Sequence, residues 1–194
     1  MSKHIVWLDD KNFAPGFYFL DETSRYVGPH KTHDEADANY QSYIKHDING
    51  ITETFAMIKP DCASDPEKVG KIISIAIREG FMLMARKCTP GKQFFEKIYV
   101  EHYGKPFFDE FISFMTSGPV VLMALGHDDS SVPAFTRWRN LMGATNPEKA
   151  VPGTIRHMFR TPGAPLHCNC VHGSSDADSA RREVDIVFNC MFLF

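Results

Sequence analysis

The sequence predicts a domain of mixed α and β structure that is preceded by a short extension. Four short apolar segments between residues 55 and 171 alternate with segments of helical periodicity, which is the pattern of a sheet packed against helices. The charge distribution also changes near Gly50. Residues 1–50 contain eight acidic and five basic residues, whereas the remainder is balanced. We therefore divide the chain into an extension, residues 1–50, and a main domain, residues 51–194.

The composition is that of a globular protein. Of the 194 residues, 43% are hydrophobic and 23% are charged. A net charge of −3 gives no broad positive surface, so we expect neither a nucleic-acid partner nor a membrane partner. Five cysteines are an odd number in a chain that needs no disulfides, which favours free thiols. Because no segment has the apolar length of a membrane span, we expect a cytoplasmic protein.

A βββα unit is expected within residues 1–50. Apolar residues at 5–8, 17–20 and 25–27 predict three short strands, with a turn at 21–24 between the last two. Thr32 and Glu35 form a capping box that predicts the start of a helix, and Asn49-Gly50 predicts its end. Fifty residues bury little surface by themselves, so this unit is expected to pack against the main domain or a partner.

The main domain is expected to begin as strand, helix, strand. Residues 55–58 are an apolar run ended by Pro60, which predicts a buried strand. Ser64 is expected to cap the following helix, because Glu67 completes a capping box. Apolar residues at 69, 72, 73, 76 and 77 give this helix one buried face. Residues 81–88 are predicted as the second strand.

The remaining pattern predicts helices at 91–102, 106–115 and 131–141, strands at 120–125 and near 170–171, and irregular structure over 143–168. A final helix is expected from Asp176, with Ser175 and Asp178 as its capping box. Four strands separated by helices fit a parallel α/β sheet, and they also fit an α+β sheet with helices on one face. The pattern does not decide between the two.

The densest polar cluster spans residues 169–183. Glycine-rich phosphate loops are absent from the sequence, so a phosphate enzyme would have to use side chains. His172 precedes a helix start, where free backbone donors and the helix dipole favour an anion. Glu183 could accept a proton from one imidazole nitrogen and leave the other as a nucleophile. A histidine in this position is also commonly a surface or capping residue.

Five blocks of the sequence together resemble the nucleoside diphosphate kinase family. They are TFAMIKPD at 54–61, SGPVVLMAL at 117–125, LMGATNP at 141–147, PGTIRHMF at 152–159 and NCVHGS at 169–174. The resemblance covers about residues 52–188 and implies an α+β fold, a ferredoxin-like antiparallel sheet with helices. It also implies a phosphotransferase that moves the γ-phosphate of a nucleoside triphosphate to a nucleoside diphosphate. The family's mechanism is ping-pong, and members are usually homo-oligomers.

The resemblance assigns residues as well as an activity. The expected catalytic residues are His172, which would carry the phosphate, and Lys59, Ser174 and Glu183. The expected nucleotide contacts are Lys59, Tyr103, Phe107, Arg139, Thr145, Arg156 and Asn169, with Phe107 stacked on the base and Asn169 on a ribose hydroxyl. Magnesium is expected on the nucleotide phosphates, without a metal site of protein ligands. Family members usually read H-G-S-D-S, whereas Ser175-Asp176 here reverses the last two residues, so Asp176 is the candidate replacement for the displaced acid.

Other interpretations remain open at this point. Lys59 and Arg139 could be solvated surface charges, and Arg137 could be the functional arginine of its helix. The segment HCNCVH at 167–172 offers four zinc ligands, although such compact spacing makes tetrahedral closure difficult. The alternative function is a kinase-fold module that binds nucleotide with reduced or lost turnover. The complete set of transfer residues favours the enzyme.

Overall fold

The computed structural model describes residues 4–10, 13–20, 26–27 and 52–192, and the side chains of residues 52–187. Its strands are β1 (His4–Asp10), β2 (Phe13–Leu20), β3 (Tyr26–Val27), β4 (Thr52–Ile58), β5 (Met82–Cys88), β6 (Val120–His127) and β7 (Val171–Gly173). Its helices are α1 (Pro60–Ala63), α2 (Pro66–Arg78), α3 (Lys92–Ile98), α4 (Phe108–Met115), α5 (Ala134–Met142), α6 (Ile155–Met158) and α7 (Ala177–Phe192). Short 3-10 turns occur at Val100–His102 and Pro147–Lys149.

The main sheet has the strand order β5-β6-β4-β7, and all neighbouring strands are antiparallel. β6 therefore lies between β4 and β5, although the chain reaches β5 first. This arrangement confirms the ferredoxin-like α+β fold and excludes the parallel α/β alternative. It also sets β7 beside β4 at one edge, with His172 opposite Met57 in the register.

Both faces of this sheet are covered, which differs from the expectation of helices on one face. The side chains of a strand alternate between faces. Ala56 and Ile58 of β4 pack into one core with α2 and α5, whereas Phe55 and Met57 pack into a second core with α3, α4 and α7. The strands are buried on both sides for this reason, and their apolar runs are nearly continuous.

Two helix caps differ from the sequence-based expectation by one residue. Asp65, not Ser64, caps α2, since its carboxylate accepts hydrogen bonds from the backbone N–H groups of Glu67 and Lys68. Ser64 instead ends α1, with helical backbone angles. At the start of α7, the carboxylate of Asp176 accepts from the backbone N–H of Ser179, so Asp176 has the capping position expected of Ser175.

The three strands described in the extension form a separate antiparallel sheet in the order β1-β2-β3. β1 lies alongside β5, the end strand of the main sheet. The helix expected after Thr32 lies outside the described residues, and the domain boundary near residue 50 stays a prediction. Within the described ranges, none of the helices has both the length and the apolarity that crossing a bilayer requires.

Candidate active site

A cavity of about 500 Å³ opens at the β4–β7 edge of the main sheet. Its size is typical of small-molecule sites. Eight of the ten predicted site residues line it, and the two exceptions are Ser174 and Tyr103. The chain thus brings together residues that are more than a hundred positions apart, because β4 and β7 pair side by side. Of the two exceptions, Ser174 is fully buried, whereas Tyr103 is 74% exposed.

His172 is held from one side by a buried carboxylate. Its Nε2 lies 3.0 Å from Oε2 of Glu183, and Ser174 Oγ donates to the same oxygen at 2.8 Å. Glu183 is only 2% exposed, and Ser174 is fully buried behind it. Because a carboxylate can only accept, Nε2 carries the proton and Nδ1 keeps the lone pair of the neutral ring. This geometry leaves the lone pair of Nδ1 free of the contact with Glu183.

Burial keeps the imidazole neutral. The pKa of His172 is lowered from its usual value, chiefly because the buried ring is poorly solvated when charged. Glu183 acts in the opposite direction, while Lys59 and Arg156 lower the pKa further. The ring also contacts two aromatic side chains, Tyr99 edge-on with 5.0 Å between ring centroids and Phe55 at 5.4 Å. These contacts fix the ring plane.

The backbone around His172 requires a glycine at the next position. A Cβ on Gly173 would lie 2.3 Å from Cδ1 of Trp138, far inside any real contact. The indole N–H of Trp138 donates to the carbonyl oxygen of His172 at 3.0 Å. β7 therefore packs directly against Trp138 of α5, with no room for a side chain at residue 173.

Lys59 lies at the end of β4 and is almost completely buried. Its Nζ donates to Asn169 Oδ1 at 2.7 Å and to the carbonyl oxygen of His167 at 3.2 Å. Burial, followed by the nearby charge of Arg156, lowers the pKa of Lys59 to about 8. An ammonium group has three N–H donors, so one remains for a ligand.

Arg156 of α6 and Arg139 of α5 supply further positive charge. Arg156 donates from Nη1 to the carbonyl oxygen of Gly143 at 3.0 Å and from Nη2 to that of Val171 at 2.9 Å. Its Nε is buried without a hydrogen-bond partner. Burial and the charge of Arg139 lower the pKa of Arg156 to about 10, which leaves it charged at neutral pH. Arg139 lines the same cavity from an exposed position.

Asn169 connects the cavity walls. Its Oδ1 accepts from Lys59, and its Nδ2 donates to the carbonyl oxygen of Thr145 at 2.9 Å. The following residue, Cys170, has a left-handed φ of 69°, rare for a side chain with a Cβ. Two hydrogen bonds hold this turn, since Cys170 N donates to Asp61 Oδ2 and Cys170 O accepts from Lys59 N. The turn allows Asn169 and His172 to face one cavity.

The structure does not bring Tyr103 to the cavity. Its side chain is 74% exposed, its ring packs on Phe108, and it is not among the residues that line the cavity. Tyr99, four residues earlier, lines the cavity instead and is 3% exposed. Its hydroxyl is buried without a hydrogen-bond partner, and burial raises its pKa well above the usual value, with a further contribution from Glu183. Tyr99 therefore offers a protonated phenol to a ligand.

The mouth of the cavity is apolar and exposed. Phe107 and Leu166 both line the cavity and are 48% and 57% exposed. The sequence motifs did not identify Tyr99, His102 or Leu166. A signal for Tyr99 existed, because Phe95 and Ile98 share the buried face of α3, and Tyr99, directly after the helix, keeps helical spacing from Phe95. Leu166 lies in an irregular segment that carries no periodic signal.

Ser175, and not Asp176, faces the cavity. Asp176 caps α7, and its hydrogen bonds to Ser175 and Ser179 hold the pKa of its carboxyl below the usual value. The sequence expectation that Asp176 replaces the displaced acid is therefore wrong in this structure. A hydroxyl occupies the place beside the histidine loop where family members usually have a carboxylate.

The zinc interpretation of residues 167–172 finds no support. His167 packs its ring on Phe114, His172 bonds Glu183, and the thiol of Cys170 hydrogen-bonds Cys62. Cys62, Cys168 and Cys170 are free thiols. Among the side chains that the structure describes, no cluster of three His, Cys, Asp or Glu residues forms a metal site.

The fold and the cavity together define a class, an α+β protein in which buried cations surround a neutral histidine, as in enzymes that act on phosphates. Comparison with known proteins specifies the class. The family model of nucleoside diphosphate kinase matches residues 52–191. The nucleoside diphosphate kinase of Oleidesulfovibrio alaskensis is 43% identical over 139 residues, covering 71% of this chain and 94% of the relative. That of Bdellovibrio bacteriovorus is 42% identical over 141 residues, covering 71% and 93%.

Solved structures agree with the sequence relatives. The nucleoside diphosphate kinase of Aquifex aeolicus superposes with a TM-score of 0.64 at 31% identity, covering 75% of this chain and 100% of that chain. The Halobacterium salinarum enzyme, solved in complex with CDP, gives a TM-score of 0.61 at 34% identity, covering 71% and 87%. This chain belongs to the nucleoside diphosphate kinase family. Its activity is that of a phosphotransferase acting between nucleoside triphosphates and diphosphates.

Proposed function

We propose that the transfer passes through a phosphorylated His172. The observation that carries this proposal is the fixed orientation of the ring, with Nε2 bonded to Glu183 at 3.0 Å and Nδ1 left with the lone pair. The ring stands in a cavity that also contains Lys59, Arg139 and Arg156. A neutral nucleophile surrounded by cations is the arrangement that phosphoryl transfer requires.

The first half-reaction forms one bond and breaks one. Nδ1 of His172 attacks the γ-phosphorus, the N–P bond forms, and the bond from phosphorus to the β,γ-bridging oxygen breaks. The nucleoside diphosphate leaves with the electron pair. The imidazole becomes positively charged, and the carboxylate of Glu183 stabilises that charge through Nε2–H. A second nucleoside diphosphate then takes the phosphoryl group by the reverse of these steps, which gives ping-pong kinetics.

The cations and the aromatic rim account for nucleotide binding. Lys59, through its remaining donor, and the Tyr99 hydroxyl are available to the transferred phosphoryl group. Arg139, Arg156 and Thr145 are proposed to contact the outer phosphates, and Asn169 the ribose. Phe107 and Leu166 offer two apolar surfaces to the base. Because stacking on an aromatic face accepts any base, this rim supports broad nucleotide use.

Mg²⁺ is proposed as the metal of the reaction. It prefers phosphate oxygens together with water and seldom needs a cage of protein ligands. The chemistry of the donor set fits this, since Lys59, Arg139 and Arg156 are cations that bind phosphate and leave other phosphate oxygens to the metal. When bound, the metal neutralises charge that develops on the phosphates. Ser175, three residues after His172, also lines the cavity and offers a hydroxyl oxygen near the proposed phosphate site.

Two further expectations remain proposals. We propose that the chain forms a homo-oligomer, which is supported by exposed apolar side chains outside the cavity, Val151 at 67% and Met158 at 45%. Analytical ultracentrifugation tests this assembly. We also propose that the protein acts in the cytoplasm, since Cys62, Cys168 and Cys170 are free thiols, which suits a reducing compartment.

The decisive experiment is to incubate the protein with γ-labelled ATP and Mg²⁺. We expect an acid-labile, base-stable label that a nucleoside diphosphate removes. His172→Ala should abolish the label and turnover, and His157→Ala is the matched control because His157 lies on α6 and does not line the cavity. Turnover that persists in folded His172→Ala protein would contradict the mechanism. Nucleotide binding without label in the unmodified protein would favour a binding module with lost turnover.

A further inference from the structure

The carboxylate of Glu183 is bound at both oxygens. Oε2 accepts from His172 and Ser174, as described above. Oε1 accepts from Nη2 of Arg182 at 3.2 Å. A buried carboxylate is costly unless both oxygens are bonded and the charge is balanced. Arg182 is the cation that does both, so the orientation of Oε2 toward His172 depends on a side chain outside the cavity lining.

Arg182 also holds a second element. Its Nη1 donates to the carbonyl oxygen of Lys97 at 2.9 Å and lies 3.5 Å from that of Ile98. These carbonyls end α3, where the helix dipole favours a cation. The next residue is Tyr99, whose ring contacts His172 edge-on. One guanidinium therefore links the helix that carries Glu183 to the helix end that carries Tyr99.

A third contact completes the arrangement, because Nη2 of Arg182 lies 3.7 Å from Oε2 of Glu101. Glu101 lines the cavity from the 3-10 turn that follows Tyr99. The Arg182 side chain is 36% exposed, so water only partly screens these charges. The planar fork of arginine allows one group to serve a carboxylate and the carbonyls at once, which a lysine ammonium does less well.

Arg181, the residue before Arg182, is a matched control for the loss of one positive charge. Arg181 has the same charge on the same helix, but its side chain is 78% exposed. Its ion pair with Asp178 is 3.8 Å long, and that carboxylate is 97% exposed. Such a surface pair contributes little. A difference between variants at positions 181 and 182 therefore reports geometry rather than net charge.

We propose that Arg182 is a positioning residue for phosphoryl transfer, which orients Glu183 toward His172 and fixes the end of α3 against the histidine ring. This inference rests on the proposed role of His172. Arg182 acts through Glu183 and Tyr99, and it touches neither the nucleotide nor the transferred phosphoryl group.

Loss of Arg182 should shift the pKa of His172, and with it the pH dependence of phosphoryl transfer, in one direction. His172 is faced by Glu183 from α7, Lys59 from β4, Arg156 from α6 and Tyr99 after α3. Without Arg182, the negative charge of Glu183 is less compensated and attracts a proton to the imidazole more strongly. The pKa of His172 then rises, and less of the neutral nucleophile is present below pH 7.

The test compares Arg182→Gln, Arg182→Lys and Arg181→Gln in the full chain. We expect Arg182→Gln to lower the single-turnover rate of His172 phosphorylation by about tenfold, with KM changed by less than about threefold. The midpoint of its pH–rate profile should move upward by roughly half a unit. Arg182→Lys should restore part of the rate, and Arg181→Gln should match the unmodified protein.

A second readout does not depend on turnover. The pKa of the His172 ring, followed by NMR in each variant, should rise in Arg182→Gln and stay unchanged in Arg181→Gln. If the unmodified protein forms no phosphohistidine, the proposed function fails, and the NMR titration still decides the positioning role. A lower melting temperature in Arg182→Gln with an unchanged ring pKa and pH profile would show a merely structural residue and overturn the inference. Equal rates in both glutamine variants would overturn it as well.

Discussion

The two ends of the cavity are built differently. At the end where we propose that the phosphates bind, here called the phosphate end, Lys59, Arg156, Asn169 and Glu183 are each at most 7% exposed, and their polar groups are held by specific hydrogen bonds. At the proposed base end, Phe107 and Leu166 are about half exposed and apolar. Fixed dipoles need no reorganisation when charge moves, whereas apolar contact tolerates different ligands. We therefore expect strict requirements for the groups at the phosphate end and tolerance for different bases at the base end.

Glu183→Gln should give the largest effect at the phosphate end. Glutamine keeps the shape but removes the negative charge that stabilises the imidazolium, so we expect the rate of His172 phosphorylation to fall by about 100-fold. Quenched-flow measurement with labelled ATP gives this rate. Asp185→Asn is the control, since Asp185 is an exposed carboxylate on the same helix. A loss of less than about threefold would remove Glu183 from the chemistry.

The pH dependence of kcat/KM should reveal the buried lysine. With a pKa of about 8, Lys59 is charged at pH 7 and mostly neutral at pH 9, so phosphate contacts weaken and kcat/KM should fall by about tenfold between these values. On the acid side, the pKa of His172 lies below the ordinary histidine value of 6.5. The neutral ring therefore still predominates at pH 6.5, and kcat/KM should not yet decline there.

Lys59→Arg separates the lysine from other groups that titrate in this range, because a guanidinium stays charged above pH 9. The alkaline decline should disappear in this variant, whatever its absolute rate. The same decline in both proteins would assign it to another group.

Phe107→Ala tests the base end and should act more weakly. Loss of one stacking surface should raise KM for ADP, GDP and CDP alike, by about fivefold, while kcat stays within about twofold. Steady-state kinetics with the three diphosphates measure this. Val100→Ala is a suitable control, because Val100 is a 55% exposed apolar residue that does not line the cavity. A selective loss for one base would show that the rim discriminates.

Removing the extension should have the smallest effect on transfer. All of the residues assigned to chemistry lie beyond residue 50, so a chain that begins near Asn49 should keep its turnover within about twofold. Its assembly should change, because β1 lies alongside β5 and its removal uncovers the end strand of the main sheet. Phosphotransfer assays of the truncated and full-length proteins measure the effect on turnover, and sedimentation measures the effect on assembly. A folded truncated chain that cannot be phosphorylated would show that the extension completes the site.

The sequence motifs identified more of the buried residues of the cavity than of its exposed apolar rim, and the reason is physical. Lys59 directly follows β4, Arg156 lies within α6, and His172 lies in β7. Asn169 lies two residues before β7, and short motifs mark all four positions. Tyr99 and Tyr103 could not be separated in this way, because their exposure depends on where α3 ends. The turn after Ile98 puts Tyr99 in the core and Tyr103 in solvent.

Other differences also arise from tertiary structure. Ser64 and Asp65 are both suitable N-caps by residue type. Which of them caps α2 depends on α1, a four-residue helix that ends at Ala63 and has Ser64 as its C-cap. The sequence pattern also could not predict that helices cover both faces of the sheet. A strand buried on two sides has a continuous apolar run, which a parallel sheet produces as well.

The contact between Gly173 and Trp138 gives the protein an optical reporter. The indole donates to the carbonyl oxygen of His172 and leaves no room for a side chain at the next residue. Trp138 is one of two tryptophans in the sequence, and the other, Trp7, belongs to the extension. In a Trp7→Phe protein, all indole emission would come from Trp138, whose ring donates a hydrogen bond to the backbone of His172. The charge state of His172 could then be followed by fluorescence during each half-reaction, without a radioactive label.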